Sequence, residues 1–119
     1  MKKLLIGILI VFCLTALLLG PALAAKEPGP AQAPFEQGVA ALNQGDPAAA
    51  IEKFDAALKL DPEMPEAYIN RGLARMKLDQ PVEAVADFDK ALELAPDSTE
   101  ALYNRALAYS KGGVYDKFL

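Results

Sequence analysis

The side chains able to do chemistry in this sequence are carboxylates, guanidinium groups and amides, because it has no His, no Trp and one Cys. General acid and base catalysis would fall to Asp55, Asp87, Asp89 and Glu93, and it requires a carboxylate held in a shielded pocket that shifts its proton affinity. The spacing argues for another role. The interval from Asp55 to Asp89 is the same as that from Arg71 to Arg105. Charges that recur at a fixed interval belong to a repeated scaffold, so each Arg is expected to pair with an Asp or Glu of an adjacent helix. Histidine catalysis, His-containing zinc sites, cysteine-ligated metal centres and a disulfide framework all need residues this chain lacks. It also carries no glycine-rich phosphate loop and no calcium loop. A chain without catalytic residues, metal or cofactor is the expectation.

Charge narrows the partners further. The formal net charge is −4, and it falls to −6 if Lys2 and Lys3 leave with a cleaved leader. Such a surface repels phosphate backbones, so nucleic acid is not an expected partner.

The N-terminus has the order of a targeting segment. Lys2 and Lys3 precede an uncharged, largely apolar run from Leu4 to Leu19, which Gly20 and Pro21 break. Ala22 and Ala24 then supply the small side chains of an A-x-A cleavage site, so residues 1–24 read as a signal peptide and the mature chain as periplasmic or secreted. An uncleaved anchor is the alternative. The stretch from Leu4 to Ala25 carries no charge, and about 20 apolar residues suffice to cross a bilayer; a membrane contact would run through this segment alone. Cys13 lies inside the apolar run behind the bulky Phe12, which argues against a lipoprotein-type site and for a core residue of the leader. Residues 25–34 include Pro28, Gly29, Pro30 and Pro34 among small and charged residues and read as an extended tether before a folded part that starts near Phe35.

From there the chain repeats itself. Aligning residues 31–64 with 65–98 gives 11 identities in 34, and most of them are small, apolar or Pro: Gly38 with Gly72, Ala50 with Ala84, Phe54 with Phe88, Ala57 with Ala91, and Pro62 with Pro96. Shifting once more by the same interval, Glu66, Ala67, Asn70, Arg71, Leu73, Ala74 and Lys77 return as Glu100, Ala101, Asn104, Arg105, Leu107, Ala108 and Lys111. Each unit reads as two helices of about a dozen residues. Gly45-Asp46-Pro47 and Asp79-Gln80-Pro81 make the inner turns, while Asp61-Pro62 and Pro96-Asp97 close the units. Turns this short make the helices antiparallel.

This pattern resembles the tetratricopeptide repeat, a 34-residue helical pair with small residues at its eighth and twentieth positions, an aromatic near the twenty-fourth, Ala at the twenty-seventh and Pro at the thirty-second. Those positions are Gly38, Ala50, Phe54, Ala57 and Pro62 in the first unit and Gly72, Ala84, Phe88, Ala91 and Pro96 in the second. The resemblance implies an all-α solenoid of helical hairpins: repeats at 31–64 and 65–98 and a third, incomplete one at 99–119. The first repeat departs from the pattern with Pro34 and Gln37 at its usually bulky fourth and seventh positions. The third breaks off after Val114, Tyr115, Phe118 and Leu119, which reads as a truncated piece of a larger repeat protein, as an apolar tail folded back on a short one, or as an apolar end covered by a partner or a second copy of the chain.

The resemblance also implies a use. In this family the first helices line a concave groove that holds a protein or peptide, and the corresponding residues are Phe35, Val39, Ile69, Asn70, Leu73, Lys77, Tyr103, Asn104, Leu107 and Lys111. Asn70 and Asn104 offer both donor and acceptor to a peptide backbone, and Tyr103 offers an aromatic anchor. A subset of the family clamps a terminal carboxylate with basic residues and Asn. Here Asn70 fits one clamp position, but Phe35 and Glu100 occupy basic ones, so Lys77 and Lys111 are left to favour an acidic segment.

Overall fold

The computed structural model describes residues 27–113, and these fold into five helices with no strand among them. They are α1 (Gln32–Asn43), α2 (Pro47–Leu60), α3 (Pro65–Lys77), α4 (Pro81–Leu94) and α5 (Thr99–Gly112). The expected leader, and the apolar end at 114–119, lie outside the described residues. Among the described residues no helix is long and apolar enough to cross a membrane.

Short turns with matched chemistry set the boundaries. Asp46 caps α2 by accepting a hydrogen bond from the Ala49 amide at 3.1 Å, and Ser98 caps α5 by accepting from the Ala101 amide at 3.2 Å. Pro47, Pro65 and Pro81 stand at the first helical position of α2, α3 and α4, where the missing N–H has no intrahelical partner to lose. Residues 45, 79 and 113 share one repeat position and all adopt left-handed backbone, with φ of 79°, 58° and 61°. Gly takes that conformation without cost at two of them. At the third it is Asp79, one of the few L residues that tolerate it.

One boundary differs from the expectation. The segment read as a tether up to Pro34 already turns at Ala31, which is buried, and enters α1 at Gln32. Pro34 is accommodated because it sits in the first turn, where amides are unpaired anyway. The folded part therefore begins about one turn before Phe35.

Packing follows the repeat. Each helix contacts the next along the chain, and in addition α1 touches α3 and α3 touches α5, whereas α2 and α4 do not meet. The first helices of the repeats are thus closer together than the second ones, and the array curves with α1, α3 and α5 on its inner side. Within each hairpin the decisive contact is an aromatic ring on a glycine. Phe54 and Phe88 are fully buried, and a Cβ built on Gly38 would lie 2.5 Å from the Phe54 ring, one on Gly72 2.6 Å from the Phe88 ring. No side chain fits between helix backbone and ring. Ala50 packs with Phe54 and Ala84 with Phe88, both Ala fully buried, and they complete the close approach.

Replacing Phe88 with Ala is expected to cost about 3 to 5 kcal/mol, and Gly72→Ala about 1 to 3 kcal/mol through overpacking. Urea unfolding followed by circular dichroism checks both. If the ring and the glycine act as a unit, Gly72→Ala combined with Phe88→Leu costs less than the sum of the two single changes; strict additivity would mean that the two residues do not touch.

Candidate functional site

The inner wall formed by α1, α3 and α5 presents the residues read as a groove, and the structure divides them by repeat. Ile69 is 6% exposed and belongs to the core with Ala84, Phe88, Ala91, Ala101 and Ala108. It is a packing residue because α4 and α5 both close on it, which corrects its assignment to the groove. Leu73 is half-buried against the same cluster. Phe35 and Val39 pack on the cluster of Ala50, Phe54 and Ala74, with the Phe35 and Phe54 ring centroids 5.9 Å apart at 48°. Their apolar surface is therefore largely spent inside the array. Tyr103 and Leu107 differ, at 65% and 43% exposure.

The polar members face outward. Lys77 and Lys111 are exposed near the C-terminal ends of α3 and α5, and Asn70 and Asn104 are half-buried about two turns before them. The Asn70 amide donates from Nδ2 to the Glu66 carbonyl at 2.8 Å, a bond within its own helix that orients the group. What the wall offers chemically is an acceptor, amide donors and two ammonium groups that keep the register of the repeat. It offers hydrogen bonds and charge to a chain laid across the helices, and no arrangement that moves a proton.

The carboxylates that could have been catalytic are occupied. Asp87 is 2% exposed, and its oxygens accept from Arg71 Nε at 3.1 and 3.2 Å, from Arg71 Nη2 at 2.7 Å and from Arg75 Nη1 at 2.7 Å. Arg71 also reaches across to Asp55 of α2 through Nη1 at 2.8 Å, and its guanidinium lies 5.5 Å from the centre of the Tyr68 ring. Burial pushes the Arg71 pKa down, but hydrogen bonds to Asp87 and Asp55, with the charge of both, push it up further and leave it above its ordinary value. It stays a guanidinium at any working pH. Arg105 repeats the cross-repeat half of this arrangement with Asp89 at 2.8 Å. The expected pairing of Arg71 and Arg105 with acids of the adjacent helix holds. The sequence reading missed that Arg75, four residues and one turn after Arg71, joins the same cluster; that spacing was the available signal. Among the described residues no group of Asp, Glu, Cys or His gathers as a metal site would.

Two surfaces escaped the sequence reading. Leu102, 44% exposed, stands beside Tyr103 and Leu107 on α5. At the other end an open pocket of about 380 Å³ lies between Glu27, Gly29 and Pro30 and the end of α2, with Leu60, Asp61 and Met64 on its far side. It went unseen because residues 27–31 were read as tether.

The buried and exposed ion pairs should separate in a mutant pair. Asp87→Asn leaves two guanidinium groups facing a neutral amide and is expected to cost about 1 to 3 kcal/mol, discounted from a fully buried pair because the arginines are partly solvated. Asp89→Asn, at a carboxylate 46% exposed, should cost less than about 1 kcal/mol. Chemical denaturation of both variants decides it, and equal costs would contradict the assigned burial.

The comparisons with known proteins agree with this geometry. The tetratricopeptide repeat family model matches residues 16–65, 35–99 and 69–119. Among solved structures, the crystal structure of MamA protein is similar at 25% identity and a TM-score of 0.70 over 73% of this chain; the chain spans about half of that protein, 48%. The first such domain of Spaghetti (RPAP3), bound to the HSP90 peptide SRMEEVD, is similar at 25% identity and a TM-score of 0.69, covering 73% of this chain and 71% of that one. The Sgt2 domain from Aspergillus fumigatus is similar at 26% identity and 0.70, covering 75% and 60%. No curated protein matches the sequence.

Proposed function

The chain belongs to the tetratricopeptide repeat family, and from that premise we propose that it is an exported, non-catalytic adaptor that holds an acidic stretch of a partner protein or peptide across α1, α3 and α5. The observation that carries this reading is the row of outward polar groups on the inner wall: Asn70 and Lys77 on α3 return as Asn104 and Lys111 on α5. An extended chain meets one amide and one ammonium group on α3 and again on α5, whereas α1 carries Glu36 and Asn43 at those places, and the ammonium groups select carboxylates. The peptide SRMEEVD bound by the similar Spaghetti domain is itself acidic, which supports a peptide partner here. Phe35 and Glu100 take the places where the clamping members of the family carry basic residues, so recognition runs through side-chain carboxylates rather than a chain end. The occupied state of Asp55, Asp87 and Asp89 supports a non-catalytic role.

Export rests on the leader-like order of residues 1–24. The uncharged run from Leu4 to Ala25 favours one second reading, an accessory subunit anchored in a membrane with its repeats assembling an envelope complex. The intact mass of the chain isolated from its native cells separates the two: loss of residues 1–24 is the result expected of the exported form, and their retention that of the anchored one.

Binding is tested with labelled SRMEEVD and its C-terminal amide as probes in fluorescence polarisation. Equal affinity for the two, weakened about tenfold, some 1.4 kcal/mol, when Lys77→Glu is combined with Lys111→Glu, is the expected outcome. Preference for the free carboxylate, or indifference to the two lysines, would overturn the reading.

A further inference from the structure

Charge on the inner wall comes in two rows of opposite sign. Glu66, Asn70, Leu73 and Lys77 follow one another along α3 at intervals of four, three and four residues, which sets them in a single stripe on one face of the helix. Glu100, Asn104, Leu107 and Lys111 repeat that stripe on α5. On α1 the corresponding residues are Gln32, Glu36, Val39 and Asn43, and the Gln32 amide donates from Nε2 to the Glu36 carboxylate at 2.9 Å. Because each hairpin is antiparallel, α1, α3 and α5 run in the same direction. Glu36, Glu66 and Glu100 therefore lie toward one edge of the wall, and Lys77 and Lys111 at the other.

Helix dipoles favour acids at the start of a helix and bases at its end, but they do so on any face. These groups share the inner wall, and they are what internal pairing leaves over. Arg71, Arg75 and Arg105 are spent on Asp55, Asp87 and Asp89, and Lys90 on Glu93. Glu66, Lys77, Glu100 and Lys111 are all exposed, and they enter no ion pair among the described residues. Along α3 the two charges stand about 16 Å apart at about 1.5 Å of rise per residue. That is about twice the screening length at physiological salt, so the rows do not cancel and each acts on what lies nearest to it. A segment acidic on both sides gains at the lysine edge and loses at the other.

We propose that the segment held on this wall alternates acids and bases along an extended chain, with carboxylates directed at Lys77 and Lys111 and ammonium or guanidinium groups directed at Glu66 and Glu100. Successive side chains of an extended chain point to opposite sides. A backbone laid over Asn70 and Asn104, across the helices, thus presents one sign to each edge when the two kinds of residue alternate. Glu66 and Glu100 become specificity-determining residues, which disfavour a purely acidic segment that the lysines alone would accept. The inference rests on the reading of the wall as a peptide site and narrows the acidic stretch to one with a base at every second position.

Fluorescence polarisation of the full chain with three labelled peptides tests it: (Glu-Lys)4, its reordered form (Glu-Glu-Lys-Lys)2, and (Glu-Gln)4. Reordering keeps composition and net charge but puts both signs on each side of an extended chain. The alternating peptide is expected to bind about fivefold more tightly than either of the others, the scale of two exposed ion pairs. Glu66→Gln combined with Glu100→Gln removes the acidic row, and is expected to bring (Glu-Lys)4 down to the level of (Glu-Gln)4 while (Glu-Gln)4 itself binds no more weakly. Equal binding of (Glu-Lys)4 and (Glu-Glu-Lys-Lys)2 by the unaltered chain overturns the proposal, and that comparison needs no variant to fold. Undiminished binding of (Glu-Lys)4 by the doubly substituted chain overturns it as well. Either result leaves the peptide site standing as long as Lys77→Glu with Lys111→Glu weakens (Glu-Gln)4. If the lysine substitutions change the binding of none of the three peptides, the site itself is wrong and the proposal falls with it.

Discussion

A phenylalanine ring lying on a glycine is the constraint on which the rest of this fold depends. Phe54 over Gly38 and Phe88 over Gly72 leave no room for a Cβ, so the two helices of a hairpin are held at one separation and one rotation. The rotation matters as much as the distance. With Gly turned toward the ring, the helix positions three and four residues away fall on the flanks, where they meet the neighbouring repeats or face the inner wall. A single small-to-large contact, made again in the next repeat, thereby decides which residues of α1 and α3 are core and which are surface. The direct cost of losing the ring is set by its buried area, but the loss would also release the register of every residue on the inner wall.

Between repeats a different set of interactions takes over. The fully buried Ala67, Ala74, Ala101 and Ala108 provide contact without direction, and the Arg71–Asp55 and Arg105–Asp89 pairs provide direction with little energy, since both carboxylates are close to half exposed. The apolar contact therefore wins on magnitude, and the ion pairs fix alignment along the helices. The second repeat adds something the first does not have. Where Arg71, Arg75 and Asp87 form their cluster, the first repeat carries Gln37, Ala41 and Lys53. The middle of the array is consequently braced by a desolvated carboxylate between two guanidinium groups, while the first hairpin relies on Phe35 and Phe54. Differences between repeats of one fold are thus differences in how each hairpin is secured, and the ring on the glycine is the part they share.

How much of this could be read from the sequence depended on whether the interaction repeats. Gly38, Phe54, Gly72 and Phe88 were visible as packing positions because each recurs at the repeat interval, though not that each ring lies on the glycine of its own hairpin, and the Arg71 and Arg105 pairs were visible for the same reason. The Arg75–Asp87 contact occurs once, so periodicity could not flag it. The start of α1 was misplaced because Pro34 was counted with the residues of an extended tether, although in a first turn it interrupts nothing, and the buried Ala31 gives no local signal. The assignment of Ile69 to the groove failed for a deeper reason. In a solenoid the same helix position is buried or exposed according to whether another repeat lies over it, and that information belongs to the neighbour. Ile69 and Tyr103 occupy one repeat position, yet one is core and the other surface.

That last asymmetry also orders the functional surface. Apolar residues on the inner wall of the first two repeats are buried, as Ile69 is, or partly buried, as Phe35, Val39 and Leu73 are, so the exposed one among the groove residues there is polar, Lys77. On the proposed reading such a wall would bind by charge and hydrogen bonding, with contacts that are selective but individually weak, so that strength would come from the number of repeats engaged at once. Three first helices place few such contacts under one extended chain. Asn70 with Lys77 and Asn104 with Lys111 recur with the period of the fold, so each further repeat of that kind would add the same pair of groups.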